Sequence, residues 1–209
     1  MNSLTRRSRV AGPAGTIEVL RDEPASGHAA HGIAVIAHPH PLFGGTMDNK
    51  VVQTLARAFV QSGWVALRFN FRGVGASEGG HDEGRGETED MLSLIAGQAG
   101  DGPLALAGFS FGSFVAARAV AALWGTRAID KIVLVGTAAS RFEVSSLPQE
   151  AHDRTLVIHG EQDDTVPLAA VMDWARPQSL PVTVVPGGGH FFHGQLPLLK
   201  SLVLRHLRS

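Results

Sequence analysis

Three short stretches of this chain carry side chains that could pass a proton to and from a hydroxyl. Gly108-Phe109-Ser110-Phe111-Gly112 sets a serine between two glycines, with apolar runs on either side. "TLVIHGEQDDTVP" places two acids, Asp163 and Asp164, just past another apolar run. "VTVVPGGGHFFHG" places His190, and then His193, past a third. A serine hydroxyl is a poor nucleophile until a base takes its proton, and a histidine base needs an acid to hold it in one tautomer. Serine, acid and histidine in this chain order, each ending an apolar run, therefore point to nucleophilic attack on an acyl carbon.

The serine must be chosen by context, because Gly-x-Ser-x-Gly is weak alone in a chain with 25 glycines. Gly75-Ala76-Ser77-Glu78-Gly79 also fits, but "GHDEGRGETED" follows and cannot open a helix at once, so Ser77 reads as a loop serine. Around Ser110 a buried strand hands over directly to a buried helix. Gly108 and Gly112 would then permit a close crossing, and the Phe111 N–H at the helix start could stabilise a negative oxygen. A second such donor is expected from "AHPHPLFGG" after the first central strand. Pro39 and Pro41 have no N–H, which leaves His40 or Leu42, with His40 favoured because it should face the serine. His38 reads as a packing residue. His38 and His40 together lack a third ligand at suitable spacing, so no metal is expected.

The elements that would position these groups alternate along the chain. "TRRSRV" (5–10) and "TIEVL" (16–20) should form an opening hairpin across Gly-Pro-Ala-Gly. Strands are expected at 32–38, 64–71, 103–109, 131–136, 154–160 and 181–186, several apolar at consecutive positions as in strands buried on both faces. Helices are expected at 48–62, capped by Asp48 and closed by Gly63, and at 87–99, 111–124, 167–175 and 196–207. The alternation implies an α/β architecture, a doubly wound and mostly parallel sheet flanked by helices, in one domain over 1–209.

Hydrophobic residues make up 44% and charged residues 18%, enough for a sizeable core. The net charge is −1 and the only basic cluster is Arg6, Arg7 and Arg9, so nucleic acid is not an expected partner. No apolar run reaches membrane-spanning length, and the basic N-terminus lacks a leader's apolar core. The absence of cysteine removes disulfides and a thiolate nucleophile. The expectation is a cytoplasmic protein without cofactor that acts on a small-molecule substrate, with a homodimer left open.

Taken together, these stretches resemble the α/β-hydrolase fold, specifically its small lidless members akin to dienelactone hydrolases and compact carboxylesterases. "GFSFG" resembles the nucleophile elbow, "HGEQDDTVP" the H-G-x-x-D-x-x-V-P segment, and "GGGHFF" the histidine loop. The resemblance implies Asp163 rather than Asp164 as the acid and His190 rather than His193 as the base. "FNFRGVGASEG" is similar to a stretch in which Arg72 and Ser77 are structural. The chain departs in having no cysteine nucleophile and in reading His-Pro-His-Pro where His-Gly-Gly is usual. The segment between Gly136 and Arg154 is too short for a cap domain. The implied activity is hydrolysis of a small carboxylic ester through an acyl-enzyme. Ser110, Asp163 and His190 would be catalytic, with the Phe111 and His40 amides as oxyanion donors. Thioester, lactone or amide hydrolysis, acyl transfer, or a non-catalytic binding module on the same scaffold are the alternatives. Phe43, Phe111, Phe114, Phe142, Phe191 and Phe192 are candidate pocket walls that periodicity does not separate from core.

Overall fold

The computed structural model describes residues 5–25 and 30–208; the first four residues of the N-terminal stretch discussed above lie outside them. Eight strands form one sheet: β1 (Thr5–Gly12), β2 (Gly15–Asp22), β3 (Ile33–Ala37), β4 (Val65–Phe69), β5 (Leu104–Phe109), β6 (Lys131–Val135), β7 (Thr155–Gly160) and β8 (Val182–Val185). Their order is β1-β2-β4-β3-β5-β6-β7-β8. β1 and β2 form the expected antiparallel hairpin, β2 runs antiparallel to β4, and every other pairing is parallel. The winding reverses at β3: β4 lies on one side of it and β5 on the other. Such a reversal opens a crevice at the carboxyl ends of the two diverging strands, where open α/β sheets hold their ligands.

Five helices cover the two faces: α1 (Lys50–Gln61), α2 (Arg85–Gln98), α3 (Phe111–Leu123), α4 (Leu168–Ala175) and α5 (Leu196–Arg208). On one face Val51, Leu55 and Phe59 of α1 and Leu199 and Val203 of α5 pack on Ala34, Ile36 and Ala107. On the other, Met91 and Leu94 of α2, Val115 of α3 and Val171 of α4 pack on Val35, Leu67 and Leu106. Strands β4 and β5 are buried at every position, which is why they read as unbroken apolar runs.

Local signals needed two corrections. The cap of α1 is Asn49, whose Oδ1 accepts the Val51 N–H at 2.8 Å, not Asp48. Arg68 and Arg7 draw the Asp48 carboxylate away, at 3.4 and 3.8 Å. Helix α2 starts two residues before the expected position, after Gly84 at φ 88°, because Glu87 turns back to accept the Gly84 N–H at 2.8 Å. Short 3₁₀ turns at Pro41–Phe43, Gln149–Arg154 and Arg176–Gln178 were not expected. No helix among the described residues is long and apolar enough to cross a membrane.

Candidate active site

Ser110 sits where β5 ends and α3 begins, with φ 57° and ψ −117°. A non-glycine residue there costs on the order of 1–3 kcal/mol and persists only where the surroundings enforce it. Three contacts do so. The Ser110 N–H donates to Val135 O at 2.8 Å. The Ser113 Oγ lies 2.7 Å from Gly108 O and 2.9 Å from Val135 O, and accepts the Val135 N–H, tying the first turn of α3 to β5 and β6. Space is the third: a Cβ on Gly108 would collide with the Gly112 carbonyl, and a Cβ on Gly112 with the Ala37 carbonyl at the end of β3. The two glycines thus serve different crossings, one within the elbow and one against the neighbouring strand.

The loops after β7 and β8 bring the other two candidates to this turn. The Ser110 Oγ is 3.0 Å from His190 Nε2, and His190 Nδ1 is 2.7 Å from Asp163 Oδ2. Asp163 Oδ1 is occupied separately, by the Val166 N–H at 2.7 Å and the Thr165 N–H at 3.0 Å. Burial alone would raise the Asp163 carboxyl, but the bonds from His190 and the Val166 N–H and the nearby imidazoles outweigh it and hold it below the usual range. An ionised carboxylate only accepts, so Nδ1 carries the proton and Nε2 is bare toward the serine hydroxyl. All three residues are buried. Asp164 is exposed and bonds only to the Thr165 hydroxyl, at 3.3 Å, while His193 stands outside against Phe191.

Phe111 and His40, whose N–H groups are the expected donors, line the same cavity as the serine. Phe111 is the first residue of α3, so its N–H has no partner within the helix and lies at the positive end of the dipole. The loop after β3 treats the His40 and Leu42 N–H groups differently. The Leu42 N–H donates to the His40 side chain at Nδ1, 3.2 Å away, whereas the His40 N–H makes no hydrogen bond among the described residues. Pro41 restricts His40 to its extended conformation, φ −53° and ψ 125°, and the Phe43 and Gly45 N–H groups both close onto the His40 carbonyl. His38 is structural: it is fully buried, its Nε2 accepts the Phe71 N–H at 3.0 Å and its Nδ1 donates to Pro39 O at 2.6 Å. With both ring nitrogens engaged it has no lone pair for a metal. Ser77 is structural as well, accepting the Glu18 N–H at 2.9 Å and donating to Asn70 O at 2.7 Å. Arg72 makes a two-pronged ion pair with Asp90, both contacts at 2.8 Å.

This geometry can be set beside known proteins. Residues 40–154, more than half of the chain, match the alpha/beta hydrolase fold family. The chain belongs to that family. The α/β hydrolase is similar to XC6422 from Xanthomonas campestris, described as an a/b serine hydrolase without lid: 34% identity, TM-score 0.86, covering 100% of this chain and 95% of that one. It is also similar to an alpha-beta serine hydrolase homologue from Coxiella burnetii, at 36% identity and TM-score 0.81, with 97% of each chain covered. An uncharacterized protein of Rickettsia prowazekii (strain Madrid E) is 41% identical over 113 residues, 52% of this chain. That match spans about half, 47%, of the Rickettsia protein.

In this α/β hydrolase a cavity of about 320 Å³ opens over Ser110. Of the six candidate phenylalanines, Phe43, Phe111, Phe142 and Phe191 line it. Phe114 and Phe192 are instead core residues, 3% and 0% exposed. Phe142 comes from the segment after β6, so the stretch too short for a cap supplies a wall. Sequence reasoning missed His159, which is buried beneath Asp163. Its Nε2 donates to Val166 O at 2.8 Å and lies 3.4 Å from Asp163 Oδ2, bracing the acid loop from below. Its place in the H-G-x-x-D stretch was visible, but nothing in the spacing shows that the ring turns toward the acid.

Proposed function

We propose that this α/β hydrolase cleaves carboxylic esters through an acyl-enzyme on Ser110. His190 Nε2 takes the serine proton as Oγ bonds to the ester carbon, and the carbonyl oxygen becomes negative facing the Phe111 and His40 N–H groups. Asp163 holds the imidazolium. His190 then gives its proton to the alkoxide as the ester C–O bond breaks. Water repeats the sequence: His190 accepts its proton, hydroxide adds to the acyl carbon, and Ser110 leaves with the proton returned. Each N–H donor is worth about 10²–10³ in rate and the acid-base step about 10²–10⁴.

The observation that carries this reading is the continuous chain from Ser110 Oγ to His190 Nε2 at 3.0 Å and from His190 Nδ1 to Asp163 Oδ2 at 2.7 Å. The strained φ of Ser110 supports it, since strain of that kind collects at working sites. The test is hydrolysis of a short p-nitrophenyl ester by the wild type and by Ser110→Ala. The wild type is expected to turn over and the variant, folded by circular dichroism, to fall to the uncatalysed rate. Hydrolysis retained by the variant would refute the assignment.

A further inference from the structure

The cavity over Ser110 is asymmetric in a way that bears on its substrate. The leaving oxygen must take its proton from His190 Nε2, so the alcohol half of an ester lies on the His190 side, beside Phe191. The acyl half is then directed to the opposite wall. That wall is aromatic: the Phe111 and Phe142 ring centroids are 5.1 Å apart, His40 lies 5.9 Å from Phe142, and Phe43 lies 4.7 Å from His40. Phe43 is 73% exposed, so it is a shelf at the mouth and not part of the core.

One side chain with a fixed charge lines this cavity, and it is a cation. Arg141 holds its guanidinium carbon 5.6 Å over the centroid of the Phe43 ring. The cavity lining contains no carboxylate. Buried Arg68 is matched to Asp22, and partly buried Arg72 to Asp90. The Arg141 side chain by contrast makes no ion pair or hydrogen bond among the described residues, only its backbone N–H donating, to Ala138 O; Glu83 and Glu143 line the groove on its other side without an ion pair to it. A guanidinium over Phe43 with no side-chain partner has its planar set of N–H donors available for a bidentate acceptor.

We infer that Arg141 receives the anionic end of the acyl group, and that the preferred substrates are monoesters of dicarboxylic acids: an apolar chain or ring against Phe111 and Phe142, ending in a carboxylate. The inference rests on the esterase reading and adds the acyl class to it. A charge-assisted pair at a partly open mouth is worth more than an exposed ion pair and less than a buried one, so a preference of about tenfold is expected.

The test compares kcat/KM for monoethyl adipate and monoethyl suberate with ethyl hexanoate and ethyl octanoate in a pH-stat. The wild type is expected to favour the monoanions about tenfold, and added salt to erode the ratio. Arg141→Gln should bring the ratio toward one and Arg141→Glu should invert it. A wild-type ratio near one, or a ratio that neither variant moves, overturns the inference while esterase activity stands. Turnover of p-nitrophenyl butyrate with none of the monoanions overturns it too. Calorimetric binding to Ser110→Ala protein carries the test without turnover: monoethyl suberate should bind more tightly than ethyl octanoate, and adding Arg141→Gln should remove the difference. Equal binding of the two would overturn the inference, whereas failure of every ester to turn over would strike at the esterase reading.

Discussion

Asp163→Asn should do more than remove a charge. The Asp163 Oδ1 position faces two N–H groups, Val166 at 2.7 Å and Thr165 at 3.0 Å, and must remain an oxygen. The amide NH₂ of an asparagine is therefore turned to the Oδ2 position, toward His190 Nδ1. The reverse orientation would oppose that NH₂ to both backbone donors. The chosen one meets a single fixed donor, the His159 Nε2–H, at the longer distance of 3.4 Å. His190 must then accept at Nδ1, which moves its proton to Nε2 and points an N–H at Ser110. The base is lost although every heavy atom stays in place. A loss of about 10³–10⁴ in kcat follows, or about 4–5.5 kcal/mol of barrier. The assay is p-nitrophenyl butyrate hydrolysis at pH 7.5 with thermal melts alongside. Asp164→Asn, whose side chain touches only Thr165, serves as the comparison and should stay within about twofold. Asp163→Asn within tenfold of wild type, or Asp164→Asn as damaging, would refute the tautomer argument.

The His40 side chain should matter separately from its N–H, because it accepts the Leu42 N–H. His40→Ala should lower kcat about tenfold, while His40→Asn, which can accept the same bond as the cap of the 3₁₀ turn, recovers most of it; equal loss in both would contradict the role. His38 is pushed down to about 4 by burial, so between pH 6.5 and 4 the unfolded chain binds a proton that the native state does not. Stability should therefore be lost as the pH is lowered through that window, by about 1.4 kcal/mol per unit from this group, roughly 3 kcal/mol in all, and His38→Gln should flatten the slope in urea titrations. Ser77→Ala leaves the buried Glu18 N–H without an acceptor and should cost about 1–3 kcal/mol in the same titration, with ester hydrolysis within about twofold of wild type.

Much of this architecture is legible in the residues because burial on both faces writes itself as unbroken apolar runs. "LALAGF" and "KIVLV" are strands for that reason, and the glycine pair around Ser110 marks a crossing that no side chain fits. Context nominated the serine, and order along the chain narrowed the acid to Asp163 or Asp164 and the histidine to His190 or His193; the family resemblance chose between them. Features set by distant partners were not legible. Asp48 and Asn49 are equivalent caps on paper, and only the arginines of β1 and β4 decide between them. His159 beneath Asp163 depends on how the loop after β7 folds back over its own strand, and the Arg141–Phe43 pair at the mouth on how the loops after β6 and β3 meet. That the Leu42 N–H is already engaged depends on an imidazole acceptor that spacing does not reveal.

The central claim is that His190 draws the proton from the hydroxyl of Ser110 and so makes it a nucleophile. Peptide mapping by mass spectrometry after treatment with a fluorophosphonate tests it most directly. Stoichiometric phosphonylation of Ser110, lost when His190 is replaced by alanine, is the predicted result; an unmodified protein, or a label on Ser77 or Ser113 instead, would contradict it.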